Sequence, residues 1–414
     1  MKTRIVLLGI FCLSLGYGDV VRKDACYTCH QVVDEDRDDD AKIMTHIDQD
    51  IHLQVGLSCA DCHGGDPTAF DDPDAAMWDN DDFLGAIERG DQPEVCGKCH
   101  SDPQFMRQYT ASVRTDEVQQ YWTSQHGKLL QQGDEHVAVC TSCHGVHGIL
   151  KKDDPRSPVY ATHVPETCNR CHGDADTMAG YGIPTDQYQQ YKTSVHGKAL
   201  LENNDIGAPA CNDCHGNHGA MPPNVVTIAD ICGTCHVNNR QLFVSSHLNY
   251  DMLNVGAKQC IECHGNHGIQ PPSEELLHAG TKTFVCQSCH DLHGEKAAVL
   301  ATQMDSVIDS LKRNYDQARA LISTAEQKGM EVSDLYEFLD EAHRSLMQTR
   351  TSIHSFNIQT VRETAGPGMK ASTNALEGAR RSLQEYDRRR WSLFFMTLAA
   401  SFLVVILILK IRNM

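Results

Sequence analysis

The chain has 414 residues, enough for two or three domains. Its 55 acidic and 36 basic side chains give a net charge of −19, which argues against nucleic acid and anionic lipid surfaces as partners. The charge suits either a solvated acidic face or a basic or neutral protein partner.

The N-terminus reads as a secretory signal over residues 1–18. Lys2 and Arg4 precede an apolar run from Ile5 to Leu15, and Gly16-Tyr17-Gly18 offers a small-x-small cleavage site. Cys12 lies inside that run and leaves with it. An uncleaved anchor is the alternative.

From residue 26 one pattern recurs. C-x-x-C-H occurs nine times: Cys26, Cys29, His30; Cys59, Cys62, His63; Cys96, Cys99, His100; Cys140, Cys143, His144; Cys168, Cys171, His172; Cys211, Cys214, His215; Cys232, Cys235, His236; Cys260, Cys263, His264; and Cys286, Cys289, His290. These motifs use 18 of the 19 cysteines. C-x-x-C-H is the signature of covalent haem attachment, in which two thiols add to the haem vinyl groups and the adjacent histidine reaches the iron. A lone C-x-x-C also fits a redox pair, half a zinc site or a disulfide. None of those requires a histidine after every pair, and no third cysteine follows at ferredoxin spacing. The expected cofactors are therefore nine covalently bound haem c, with the nine motif histidines as proximal iron ligands. At roughly 30 residues per motif between Cys26 and His293, porphyrin must form much of the interior. Little regular strand or long helix is expected there.

The remaining histidines reveal a repeat. Ser124-Gln125-His126, Cys140–His144, His147 and Cys168–His172 form one copy. Ser194-Val195-His196, Cys211–His215, His218 and Cys232–His236 form the next, and Ser245-Ser246-His247, Cys260–His264, His267 and Cys286–His290 the third. A looser copy precedes them, with His46 and His52, Cys59–His63 and Cys96–His100; Cys26–His30 leads the series and His293 closes it. Bis-histidine ligation needs one distal imidazole per haem. The expected distal set is His46, His52, His126, His147, His196, His218, His247, His267 and His293. A histidine three residues past its proximal partner is poorly placed to reach over its own haem, so it is expected to serve a neighbour.

After Glu295 the texture becomes helical. Leu300, Met304, Val307, Ile308, Leu311, Tyr315, Leu321 and Ile322 recur at helical spacing before Gly329. Ser333 can cap a second helix, and Gly366-Pro367-Gly368 is expected to end it, with a third helix running from about Met369. His343 and His354 share a face of the second helix. His354 is the main substitute distal ligand, for a weaker candidate such as His46. Residues 391–409 carry no charge and are long enough for one membrane-spanning helix. Arg388, Arg389 and Arg390 before the span outnumber Lys410 and Arg412 after it. The positive-inside rule alone would put the N-terminal flank in the cytoplasm. Large translocated domains cross largely regardless of charge, and haem c is attached outside, so residues 410–414 are expected to be cytoplasmic.

The expected fold is a mostly irregular and α multihaem cytochrome with a haem-packed core and short helices. A long C-terminal helical hairpin and one transmembrane helix follow. The boundaries are a signal peptide at 1–18, a nine-haem domain at 19–293, a helical stalk at 294–390, a span at 391–409 and a tail at 410–414.

The alternation of S-x-H-G-K, C-x-x-C-H-G-x-H-G and C-x-x-C-H resembles the multihaem c-type cytochromes of the doubled C-x-x-C-H, cytochrome c3-like type. Residues 140–148, 211–219 and 260–268 carry the likeness most clearly, and it extends over 26–293. The resemblance implies a periplasmic electron carrier of the bacterial inner membrane, in anaerobic respiration. Membrane-bound members sit beside iron–sulfur and quinol-binding integral subunits. Similar quinol dehydrogenases carry an N-terminal anchor, so the C-terminal span here argues against direct quinol oxidation. The expected function is electron carriage between a quinol-linked membrane complex and periplasmic acceptors, with no catalytic residues. The alternatives are a reductase or oxidase of nitrogen or sulfur oxyanions, with one open haem at Cys26–His30, and a scaffold subunit of a larger redox complex.

Overall fold

The structure, a computed structural model, describes residues 24–34, 43–110, 114–222, 227–288, 290 and 295–413. The expected signal sequence, Cys289 and His293 lie outside them. The described residues are mostly helical and contain no strand. The chain divides into two compact units, Met1–Pro223 with His267–Ile269, and Asn224–Asn266 with Gln270–Met414.

In the first unit the helices are short, and one local design recurs. Helix Glu117–Thr123 stops at Ser124, whose hydroxyl caps the next helix by accepting from Gly127 N at 2.9 Å. Helix Gln187–Thr193 stops at Ser194, which accepts from Gly197 N at 2.9 Å. A Cβ on Gly127 or Gly197 would lie 2.1 or 1.9 Å from the carbonyl oxygen of Tyr121 or Tyr191. The glycine of S-x-H-G therefore serves close backbone approach, and it holds the histidine on the first turn. Asp50 caps Ile51–Gln54 in the same manner, accepting from His52 N at 2.9 Å. Asp50-Ile51-His52 is thus a further copy of S-x-H.

The second unit contains three long helices: α1 (Glu295–Gln327), α2 (Ser333–Ser352) and α3 (Ile358–Arg412). Ile308 and Leu311 of α1 close on Leu346 and Ala365, and Ile322 closes on Leu339, Ala375 and Ala379. Leu311 is fully buried. Leu311→Ala should lower unfolding stability by about 2–5 kcal/mol through the cavity it leaves, read by urea titration of helical circular dichroism.

Two expectations about the tail need correction. Val332, not Ser333, is the cap position of α2. Gly366-Pro367-Gly368 does not end a helix: α2 ends at Ser352, and α3 starts at Ile358, where Asn357 caps Gln359 N and Thr360 N. Pro367 lies inside α3, and a partner helix accommodates the break. The Ser345 hydroxyl accepts from Gly368 N at 3.1 Å and donates to the Thr364 carbonyl at 2.9 Å, so it is interposed in the helical ladder. A Cβ on Gly368 would meet Ser345 Cβ at 2.5 Å, so the glycine permits the approach.

Beyond Tyr386, α3 is exposed all the way to Asn413. The helix is long and apolar enough to cross a membrane, and its apolar window is unburied.

Candidate functional site

Seven of the nine C-x-x-C-H motifs lie wholly in a helix. Cys59–His63, Cys140–His144, Cys211–His215 and Cys260–His264 are five-residue helices, whereas Cys96–His100 and Cys168–His172 close nine-residue helices. Cys26–His30 lies within Ala25–Val33. In a helix, positions i, i+3 and i+4 share one face. The spacing therefore aims two thiols and the imidazole to one side. The residue before the second cysteine holds the turn. Asp61 Oδ2 accepts from Ser58 N at 2.6 Å, Ser142 Oγ from Val139 N at 3.0 Å and Asp213 Oδ2 from Ala210 N at 2.7 Å. At Cys232 the helix stops at Gly233, and His236 precedes the next one. Cys286 lies on a tighter turn, Val285–Ser288.

Gly64, Gly145, Gly216 and Gly265 end the five-residue helices at φ 72°, 78°, 80° and 73° with extended ψ, a region open essentially to glycine. The chain turns sharply there, so after Gly145, Gly216 and Gly265 the histidine two residues further on leaves the helix in a new direction, whereas Asp66 holds that place after Gly64. A Cβ on Gly64 would stand 1.9 Å from the Asp82 carbonyl oxygen. Gly64→Ala should cost at least about 1–3 kcal/mol from the dihedral strain alone, read as a lowered urea midpoint.

Among the described residues, imidazoles face each other in pairs across a gap, and six such pairs are defined by their geometry. Ring centroids are 5.9 Å apart for His63 and His147, 6.1 Å for His144 and His218, 5.9 Å for His215 and His267, and 6.1 Å for His264 and His354. These four pairs are near-parallel, with interplanar angles of 24°, 10°, 14° and 26°. His52 with His100 at 6.0 Å and His126 with His172 at 6.1 Å are more steeply inclined. Two imidazoles on opposite sides of one metal ion stand about 6 Å apart, from a metal–nitrogen bond of about 2 Å on each side and about 1 Å more to each ring centre.

The pairing follows a rule. The histidine three residues past a proximal one faces the proximal histidine of the preceding repeat: His147 to His63, His218 to His144, His267 to His215. The histidine of S-x-H or D-x-H faces the second motif of its own repeat: His52 to His100, His126 to His172. A backbone bond accompanies each handover. Ile149, Ala220 and Ile269 carbonyls accept from Ile51 N, Gln125 N and Val195 N at 2.8, 3.0 and 2.8 Å. Each histidine-bearing turn is thereby fastened to the S-x-H helix of the repeat before it.

Second partners orient the rings. Nδ1 of His63 lies 2.7 Å from the Gly85 carbonyl, that of His215 3.3 Å from Met221 O, and that of His354 2.9 Å from Thr351 O. A carbonyl only accepts, so Nδ1 carries the proton and Nε2 keeps its lone pair for the gap. His52 Nδ1 lies 3.0 Å from Asp50 Oδ1. Oδ2 of that buried carboxylate accepts from Gly148 N and Ile149 N at 2.9 and 2.8 Å. Burial alone would raise the Asp50 pKa, but the bonds from His52 and from Ile149 N hold it below the usual carboxylate value. Burial pushes the His144 pKa down to about 4, helped by His218, His100 and His52. Burial likewise lowers those of His100, His126, His147, His172, His218, His264, His267 and His354. Neutral imidazole is the form that binds metal.

The motif helices pack in chain order: Ala25–Val33 on Cys59–His63, Gln92–His100 on Cys140–His144, and Val164–His172 on Cys211–His215 in the first unit; Ile228–Gly233 on Cys260–His264 in the second. The thiols of Cys96 and Cys140, of Cys168 and Cys211, and of Cys232 and Cys260 are neighbours that influence one another's ionisation. The interaction between the thiols, with burial, raises the pKa of the first of each pair; the same interaction lowers that of the second against the opposing effect of burial. Burial raises Cys59 to about 12 and Cys62 and Cys143 to about 11.

Four of the other expected ligands have different surroundings. His46 packs its Cβ toward Gly148, and Nδ1 of His30 is buried without a hydrogen-bond partner. His247 is exposed and meets the Phe356 ring edge at 6.4 Å, and His290 is exposed. The spare histidines have ordinary partners. His136 and His278 face Asp134 and Asp305 at 3.6 and 3.2 Å, His163 Nδ1 lies 3.0 Å from Ser157 O, and His343 stacks on Tyr315. Among the described residues no three His, Cys, Asp or Glu side chains converge as a zinc site would require. Two thiols and one imidazole on a helical face, with a second imidazole opposite, is the donor set that fits covalently attached haem. The supporting residues Asp50, Gly85, Met221 and Thr351 are absent from the sequence reading, and only the Asp50-x-His52 spacing could have signalled one of them.

No protein family model matches the chain, and no curated protein or solved structure matches it either.

Proposed function

We propose that this chain is a membrane-anchored c-type cytochrome with nine haems, conducting electrons between a quinol-linked membrane complex and periplasmic acceptors. The observation that carries the reading is the set of six imidazole pairs, each opening on a gap the width of a metal ion and its two bonds. Haem c, when bound, supplies one-electron chemistry.

The residues supply everything else. The eighteen motif cysteines fix position covalently, and the motif histidines bind from one side. Distal histidines close the opposite side, so substrates have no open coordination position. Carbonyls and Asp50 lock the rings in the tautomer that binds iron. The order of motif helices makes the route collinear with the sequence within each unit, from Cys26 to Cys211 and from Cys232 to Cys260. The apolar end of α3 supports attachment to the inner membrane, with the cysteine-rich part on the periplasmic side, where iron–sulfur and quinol-binding subunits are the expected neighbours.

The test is electron flow through membranes holding the full chain. Quinol added with its dehydrogenase partner should reduce the cytochrome bands, and a soluble periplasmic acceptor should reoxidise them. Bands that stay oxidised with quinol, yet respond directly to nitrite or tetrathionate after chemical reduction, would favour the oxyanion reductase instead.

A further inference from the structure

Within the repeats, the pairing rule leaves the first motif of the third copy without a donor from a following repeat. The first motif of each repeat takes its facing imidazole from the next repeat, yet after Cys286 no further C-x-x-C-H follows the third repeat. His264 nevertheless has a partner. His354, from the short turn between α2 and α3, faces it at 6.1 Å and 26°, a separation found in the pairs made inside the repeats and an angle 2° beyond the widest of them.

The seat of His354 is specific. Its Nδ1 lies 2.9 Å from Thr351 O and 3.4 Å from Asn239 Nδ2. Nδ1 thus donates to the carbonyl, as in His63 and His215, and Nε2 is left toward His264. The turn is tied by Ser352 Oγ to Thr349 O at 2.8 Å and by Ser355 Oγ to Ser352 O at 2.7 Å. Phe356 follows at φ 49°, a strained conformation for a bulky side chain that surrounding structure must enforce. Arg350, one turn earlier, holds Glu274 at 2.5 Å. The tail's other histidine, His343, is exposed and lies against Tyr315.

We propose that His354 is the distal axial ligand of the haem carried by Cys260, Cys263 and His264, so that the helical tail acts as the last ligand donor of the repeat. The inference rests on the haem reading above. The tail is then bonded to a redox centre as well as packed, and helix α3, which carries the apolar segment, begins three residues beyond the ligand turn.

The test uses the full chain in detergent, comparing wild type with His354→Ala, His354→Met and His343→Ala. Haem per polypeptide is measured by pyridine haemochrome assay and spin state by electron paramagnetic resonance of the oxidised protein. His354→Ala should keep the wild-type haem count and convert one haem to high spin, and added imidazole should restore the low-spin signal. His354→Met should keep all haems low-spin and raise one midpoint potential, because a thioether ligand favours the reduced state. His343→Ala should change neither. A fully low-spin spectrum for His354→Ala, at wild-type haem count and without added imidazole, overturns the assignment while leaving the haem reading intact. If the alanine variant does not fold, an unchanged set of potentials in His354→Met overturns it. A wild type lacking haem removes both.

Discussion

Replacing His147 with alanine is expected to turn one haem high-spin, and that haem is the one on Cys59 and Cys62, not the one on the adjacent Cys140 and Cys143. The His147 ring lies 5.9 Å from that of His63 at 24°, whereas His144 already faces His218 at 10°. The turn is aimed by Gly145 at φ 78°, by His147 itself at φ 53°, and by the Ile149 carbonyl held on Ile51 N. Covalent attachment does not involve His147, so the haem count should stay at the wild-type value. A second background separates the possibilities. With Cys140 and Cys143 both changed to serine, the haem of that motif is lost, yet His147→Ala should still create a high-spin site. No new high-spin site in that background would mean that His147 serves its own motif.

Asp50→Ala should be the most damaging single change outside the motifs. The carboxylate is 4% exposed and accepts four bonds, from His52 N, His52 Nδ1, Gly148 N and Ile149 N. Its removal leaves the Gly148 and Ile149 amides unpaired at about 1–3 kcal/mol each. It also frees His52, which faces His100, and loosens the turn that carries His147 toward His63. The expected result is a lowered urea midpoint together with two weakened low-spin sites. Asp50→Asn keeps an acceptor oxygen and should lose less on both counts. A variant with the wild-type midpoint and spectrum would show that neither histidine depends on this carboxylate.

Some of this was legible in the residues and some was not. The motifs, the S-x-H and +3 histidines and the apolar span are local patterns, and the helical tail with its exposed apolar end matches them. The direction of each +3 histidine depends on glycine dihedrals and on a carbonyl bonded to another repeat, which spacing alone does not encode. His52 reads as only loosely equivalent to His126 and His196 because aspartate stands where serine caps the later copies, accepting the amide two residues on where serine accepts the one three residues on. Pro367 reads as a helix end because its partner, the Ser345 hydroxyl, lies 22 residues away in sequence. The helical form of C-x-x-C-H was also hidden, since five-residue helices carry too little periodicity to be recognised.

The central claim is that the motif cysteines hold nine haems and that opposed imidazoles, as at His63, His100, His144, His172, His215 and His264, make them six-coordinate. Its most direct test is electron paramagnetic resonance of the purified oxidised full chain, quantified against a pyridine haemochrome count on the same sample. The account predicts nine haems per polypeptide, all low-spin with bis-imidazole signals. Bound zinc without haem, or a haem count well below nine with the motif thiols free to react, would contradict it.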